Sequence, residues 1–89
     1  MISIEDCIAF TGLDRDEIDA IAEHEHMPEI AAAALASYLL HQAHGAEQIR
    51  DMIVDDIRGA LGREDNAHAA QLFAALRHFM ADHPELVEA

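Results

Sequence analysis

The sequence predicts an all-α fold: a compact orthogonal bundle of about five short helices around a buried central helix. Three observations carry that prediction. Residues that cap helix N-termini stand ahead of apolar runs of helical period, at Ser3, at Asp14 and at Asp65 or Asn66. Glycine and proline punctuate the chain at Gly12, Pro28, Gly45, Gly62 and Pro84, leaving connections so short that successive helices must pack as neighbours. Alternating apolar and polar stretches, the mark of half-buried strands, are nearly absent.

The first helix opens at Ser3, with Asp6 three residues on approximating a capping box, and Ile4, Cys7 and Ile8 share its inner face before Thr11-Gly12. Asp14 and Glu17 form the same box for the second helix, whose inner face is Ile18, Ile21 and Ala22. Pro28 suits the first position of a third helix, where its missing N–H costs nothing, and Glu29 favours the positive end of the helix dipole. This helix is expected over 28–44, with Gly45 as its C-terminal stop. Its segment 30–40 is apolar almost all the way round, a pattern that belongs to a helix enclosed by others. The fourth helix, over 46–61, places Ile49, Met52, Ile53, Ile57 and Ala60 inward, with Gly62 as its stop. The fifth buries Ala69, Leu72, Phe73, Leu76, Phe79 and Met80 and ends at Pro84, leaving 85–89 as a frayed tail.

The chain of 89 residues is expected to form a single domain, 1–89, with one thin core layer. Half of it is apolar (52%), enough for a core, but aromatics make up only 4% and much of the remainder is alanine. Homodimerisation is one way for so small a core to bury more surface. The net charge of −13 sets 18 acidic residues against five basic ones, all arginine. Nucleic acid and anionic membranes are excluded as unaided partners, and a protein with a basic patch is favoured. The single cysteine cannot close an internal disulfide, which predicts a reducing, cytoplasmic setting, and Cys7 reads as a packed thiol. The apolar run of the third helix spans only about 16 Å, too short for a bilayer.

Residues 4–22 resemble part of a helix-turn-helix, with Gly12, Leu13, Ile18 and Ile21 at the spacing of its turn glycine and core positions. The resemblance would imply DNA binding through the second helix. That helix begins Asp14-Arg15-Asp16-Glu17-Ile18-Asp19, a face that phosphates repel, and Ile8 stands where the motif has a small residue. The segment reads as an ordinary helical corner.

The unusual feature is a surplus of histidine, seven in all. Helix geometry sorts most of them into two groups. One gathers His24, His26 and His68 with Glu23 and Glu25; the other gathers His41, His44 and His83 near Glu47. Within the first, Glu25 continues the apolar stripe of the second helix, and Asp56 falls inside the stripe of the fourth. A carboxylate on an apolar face must be paired, hydrogen-bonded, metal-bound or protonated. Glu25, His26 and Asp56, with His24 or His68, therefore form a candidate mixed O/N site for a divalent transition metal such as Zn, Fe or Ni. The alternative is a buried ion pair or carboxylate–imidazole bond that fixes how the helices meet, with Arg77 also within reach of Asp56. In the second group, His41 and His44 share a face at a spacing able to clamp a metal, although imidazoles near a helix C-terminus also serve the dipole without one.

No phosphate loop, paired CxxC or H-E-x-x-H motif occurs, and Ser37 lacks a G-x-S-x-G setting. The expectation is a non-enzymatic protein: an interaction or regulatory module without a cofactor, with metal binding through the histidine and carboxylate cluster as the alternative.

Overall fold

The computed structural model describes residues 2–87. Five helices follow one another, α1 (Ile4–Thr11), α2 (Arg15–Glu25), α3 (Glu29–Leu40), α4 (Gly45–Gly62) and α5 (Asn66–Asp82), and a 3-10 turn at Pro84–Leu86 closes the chain. The described residues contain no strand. Both capping boxes form as the spacing requires. Ser3 accepts from the Asp6 N–H while Asp6 accepts from the Ser3 N–H, and Asp14 and Glu17 exchange the same pair of bonds. Gly12 takes the left-handed conformation (φ 78°) that turns α1 into α2.

The α4–α5 pair packs extensively, α2 contacts α3, α4 and α5, and α3 contacts α1, α2 and α4. The core between them is aliphatic: Ile18 and Ile21 of α2, Ile49 and Ile53 of α4, and Phe79 of α5 are fully buried, with Ala32, Ala36 and Ala60 where backbones come close. Each fully buried isoleucine contributes about 1.5–3 kcal/mol. The Cα radius of gyration, 12.7 Å, is near the roughly 12 Å expected of a compact chain of this length.

Five expectations change. Helix α3 stops at Leu40, not His44, and Gly45 begins α4 instead of ending α3. The reason is steric, since a Cβ on Gly45 would lie 1.5 Å from the Leu39 carbonyl oxygen, so only glycine lets α4 start against the end of α3. Pro28 is the N-cap of α3, so the helix begins at Glu29, one residue later than expected. Burial of α3 is one-sided within the single chain, because Ile30, Ala34 and Tyr38 form an exposed stripe at i, i+4 and i+8. Phe73 is 54% exposed; Ala75, one position off the predicted stripe, is buried in α5. The tail is also ordered further than expected, as Leu86 packs partly against the core and only 88–89 of the expected frayed segment lie outside the described residues. No helix among the described residues is long and apolar enough to cross a membrane.

Candidate metal centre

The N-terminus of α2 builds the site. In its capping box, Asp14 Oδ1 accepts from the Glu17 N–H at 3.0 Å and Glu17 Oε1 accepts from the Asp14 N–H at 2.8 Å. Each carboxylate thus spends one oxygen on the helix end and turns the other outward from the cap. Those two free oxygens meet the same atom of α5: His78 Nδ1 lies 3.3 Å from Asp14 Oδ2 and 3.4 Å from Glu17 Oε2. Asp82, one turn further along α5, places Oδ2 3.9 Å from the same nitrogen.

Glu17 is the unusual member. It is 0% exposed, yet its Oε2 is buried without a hydrogen-bond partner. Burial pushes its carboxyl above the ordinary range and the Asp14 carboxylate adds to this, while the Asp14 N–H and the His78 ring act against it. His78 is displaced upward as well, by its contact with Glu17 and then by the charges of Glu17 and Asp14.

Among the described residues, Asp14, Glu17 and His78 are the group of three whose ligand atoms all lie within 4.8 Å of one another. Their 3.3–3.4 Å spacings around Nδ1 match the edge of a tetrahedron built on bonds of about 2.0–2.1 Å. Two carboxylates and one imidazole neutralise a divalent ion and suit zinc, iron or manganese better than the all-oxygen ions calcium and magnesium.

The five residues singled out from the sequence are arranged differently. His24 sits between α2 and α4, with Nδ1 2.7 Å from Glu25 Oε2 and Nε2 3.2 Å from Asp55 Oδ2. His68 of α5 bonds Glu23 through Nε2 at 2.5 Å, with Nδ1 3.3 Å from Gln71 Oε1. His26 is exposed and ends α2 in the left-handed conformation (φ 55°). Glu25 is exposed rather than inward, because α2 ends there and the stripe runs off the bundle. Asp56 is buried as expected, at 8% exposure, but its Oδ2 has no hydrogen-bond partner, and no bond from Arg77 reaches it. Burial first, and the Glu23 carboxylate second, push its carboxyl up to about 6. Burial works against the charge of His24, but Glu25 and Asp55 hold its ring above the ordinary value; Glu23 does so for His68. The predicted grouping across α2 and α5 is present, yet it resolves into separate pairs.

In the second histidine group, His44 lies 3.2 Å from Glu47, and both line a shallow pocket with His83. His41 and His83 each bond the carbonyl four residues earlier, and His83 also stacks on Phe79. Sequence reasoning assigned Asp14 and Glu17 to capping and left His78 in neither group. A signal was present: Glu17 lies three and four residues before the buried Ala20 and Ile21, so its cap position is also an inward one.

Comparison with protein-family models, curated proteins and solved structures finds no match.

Proposed function

We propose that this chain is a small helical module that binds one divalent transition-metal ion through Asp14, Glu17 and His78. The observation that carries this reading is the fully buried Glu17 Oε2, unpartnered and pointed at the nitrogen that Asp14 Oδ2 also faces. A buried carboxylate oxygen without a donor is costly, and a cation between it and the imidazole offsets that cost. The capping box fixes both carboxylates by their other oxygens, so the ligands need little ordering on binding. The ion would tie the start of α2 to α5. Three protein ligands leave a position for water or for Asp82.

The test is calorimetric titration of tag-free, chelator-treated protein with zinc, cobalt and manganese. One equivalent should bind at neutral pH, and both Glu17→Gln and His78→Gln should abolish it. Glutamine at position 17 keeps an oxygen for the cap, which separates ligand loss from loss of the helix end. Binding that survives in both variants, or no binding at all in the parent protein, overturns the assignment.

A further inference from the structure

A groove of about 480 Å³ lies on the opposite theme of this surface, apolar rather than charged, where α1 meets α3. Ile2, Cys7 and Phe10 line it from the α1 side and Ile30, Ala34 and Ser37 from α3, with Cys7, Ala34 and Ser37 the small members. Ile2, Phe10 and Ile30 are 75%, 84% and 54% exposed. Of the other exposed large apolar residues, Tyr38 lies on α3 next in sequence to the groove-lining Ser37, Leu61 and Phe73 sit on α4 and α5, and Val87 follows the 3-10 turn. Isolated exposed apolar residues are ordinary, whereas a contiguous set around a groove marks a contact surface.

We propose that this groove receives an amphipathic helix with basic flanks from a partner protein. The lining residues span nine positions, Ile2 to Phe10, on one side and eight, Ile30 to Ser37, on the other; the α3 side is about 10 Å long, which matches two turns of a docked helix with apolar anchors at i, i+4 and i+7. The small lining residues let a backbone approach closely. Charge selects the occupant. Among the described residues, the charged side chain lining the groove is Asp6, and Glu5 and Glu29 stand at the N-terminal ends of the same two helices. Arg15 lies between Glu5 and Glu29, at 3.3 and 3.4 Å, and so leaves that end negative. A second copy of the chain carries a net charge of −13 of its own and is repelled, whereas a basic helix is drawn in by the same field. Its docking would also cover Ile30 and Ala34 of the stripe that leaves α3 open.

The experiment measures fluorescence anisotropy of two labelled helical peptides that share one leucine and alanine stripe, one flanked by lysine and the other by glutamate. The protein is tested as the parent chain, as Phe10→Ala, as Ala34→Glu, and as Ala81→Glu, a control at an exposed position on α5. The lysine peptide should bind the parent and the control alike. It should bind Ala34→Glu and Phe10→Ala at least about tenfold more weakly, and the glutamate peptide should be weaker than the lysine one by a similar factor. Ala34→Glu adds negative charge, so attraction that is merely electrostatic would strengthen rather than fall; that result overturns the proposal. It is also overturned if neither peptide binds, or if sedimentation shows a dimer that Ala34→Glu dissociates, which would make the occupant a second copy. Phe10→Ala changes a residue that is 84% exposed and keeps the test open should Ala34→Glu fail to fold.

Discussion

Glu17 and Asp56 are both buried carboxylates with an oxygen that finds no hydrogen-bond donor, and both have histidines and further acids nearby. Around Glu17, the free oxygens of two carboxylates face one imidazole nitrogen, because a capping box has already oriented both acids. Around Asp56, the histidines are spent elsewhere. His24 uses its two nitrogens on Glu25 and Asp55, which lie on opposite sides of the ring, and His68 is held by Glu23 and Gln71. The residue types are nearly the same. The difference is convergence: one nitrogen shared by two acids gathers three donor atoms at the proposed ion site, whereas one ring divided between two acids makes a clasp between helices. At the first place a buried charge has something to gain from a ligand; at the second it has something to gain only from a proton.

That contrast can be broken most directly by metal titration of matched variants. Glu17→Gln and His78→Gln should each weaken zinc binding by at least about a hundredfold, since loss of a ligand exceeds the 10–100-fold typical of its supporting shell. His24→Gln and Asp56→Asn should change it by less than about threefold. Equal losses in the two sets would mean that the regions are not distinct.

Stability at neutral pH should sharpen the difference in the other direction. Asp56 is held at about 6 against an ordinary 3.8, a native-state penalty of order 3 kcal/mol when the group is ionised. With no ion pair to break, Asp56→Asn should stabilise the metal-free protein at pH 7.5 by about 1–3 kcal/mol in urea unfolding. A loss of stability would reveal a partner that the geometry does not show.

The pH dependence follows from the same shifts. Asp56 and Asp19 are both raised to about 6, Asp19 by burial and then by Glu29, and Glu17, His24, His68 and His78 are all displaced upward. A group raised in the folded state holds its proton more tightly there. Its stabilisation is present at low pH and is lost as pH rises through the folded value. Between about pH 4 and 7, the metal-free protein should therefore become more stable as the pH falls. From pH 7.5 to 5.5, Asp56 alone contributes about 1 kcal/mol, or about 4–8 °C in melting temperature. Asp56→Asn should remove that share. Metal-bound protein should respond the opposite way, because protons compete for His78 and the carboxylates. If chelator leaves both pH curves unchanged, the ion has no stabilising role.

The smallest expected effect separates capping from ligation. Asp14→Asn keeps a capping oxygen and should leave the metal-free melting temperature nearly unchanged, while Asp14→Ala costs about 1 kcal/mol. Both should weaken metal binding. A binding loss confined to Asp14→Ala would place the role of this residue in the helix end rather than at the ion.

Much of this molecule is local, and local features are legible in a sequence. Ser3 with Asp6 and Asp14 with Glu17 specify two helix starts by hydrogen bonds that span three residues, and Gly12 specifies the turn between them. The stripe of Ile49, Ile53 and Ala60 specifies the buried face of α4 by periodicity alone. What the tertiary structure decided concerns approaches between distant segments. Gly45 looked like the end of α3, and only the Leu39 carbonyl lying where its Cβ would be makes it the start of α4. Ile30 and Ala34 line the open groove between α1 and α3, and Tyr38 is exposed one turn further along α3; which face of that helix its neighbours leave open is a fact that hydropathy cannot encode. The candidate site divides in the same way. The sequence by itself determined its carboxylate half, since a capping box is a contact within one turn of chain. Its imidazole half, His78, stands sixty-one residues from Glu17. Whether that ring meets those oxygens depends on the angle and offset at which α5 packs on α2, and side-chain periodicity carries no information about either.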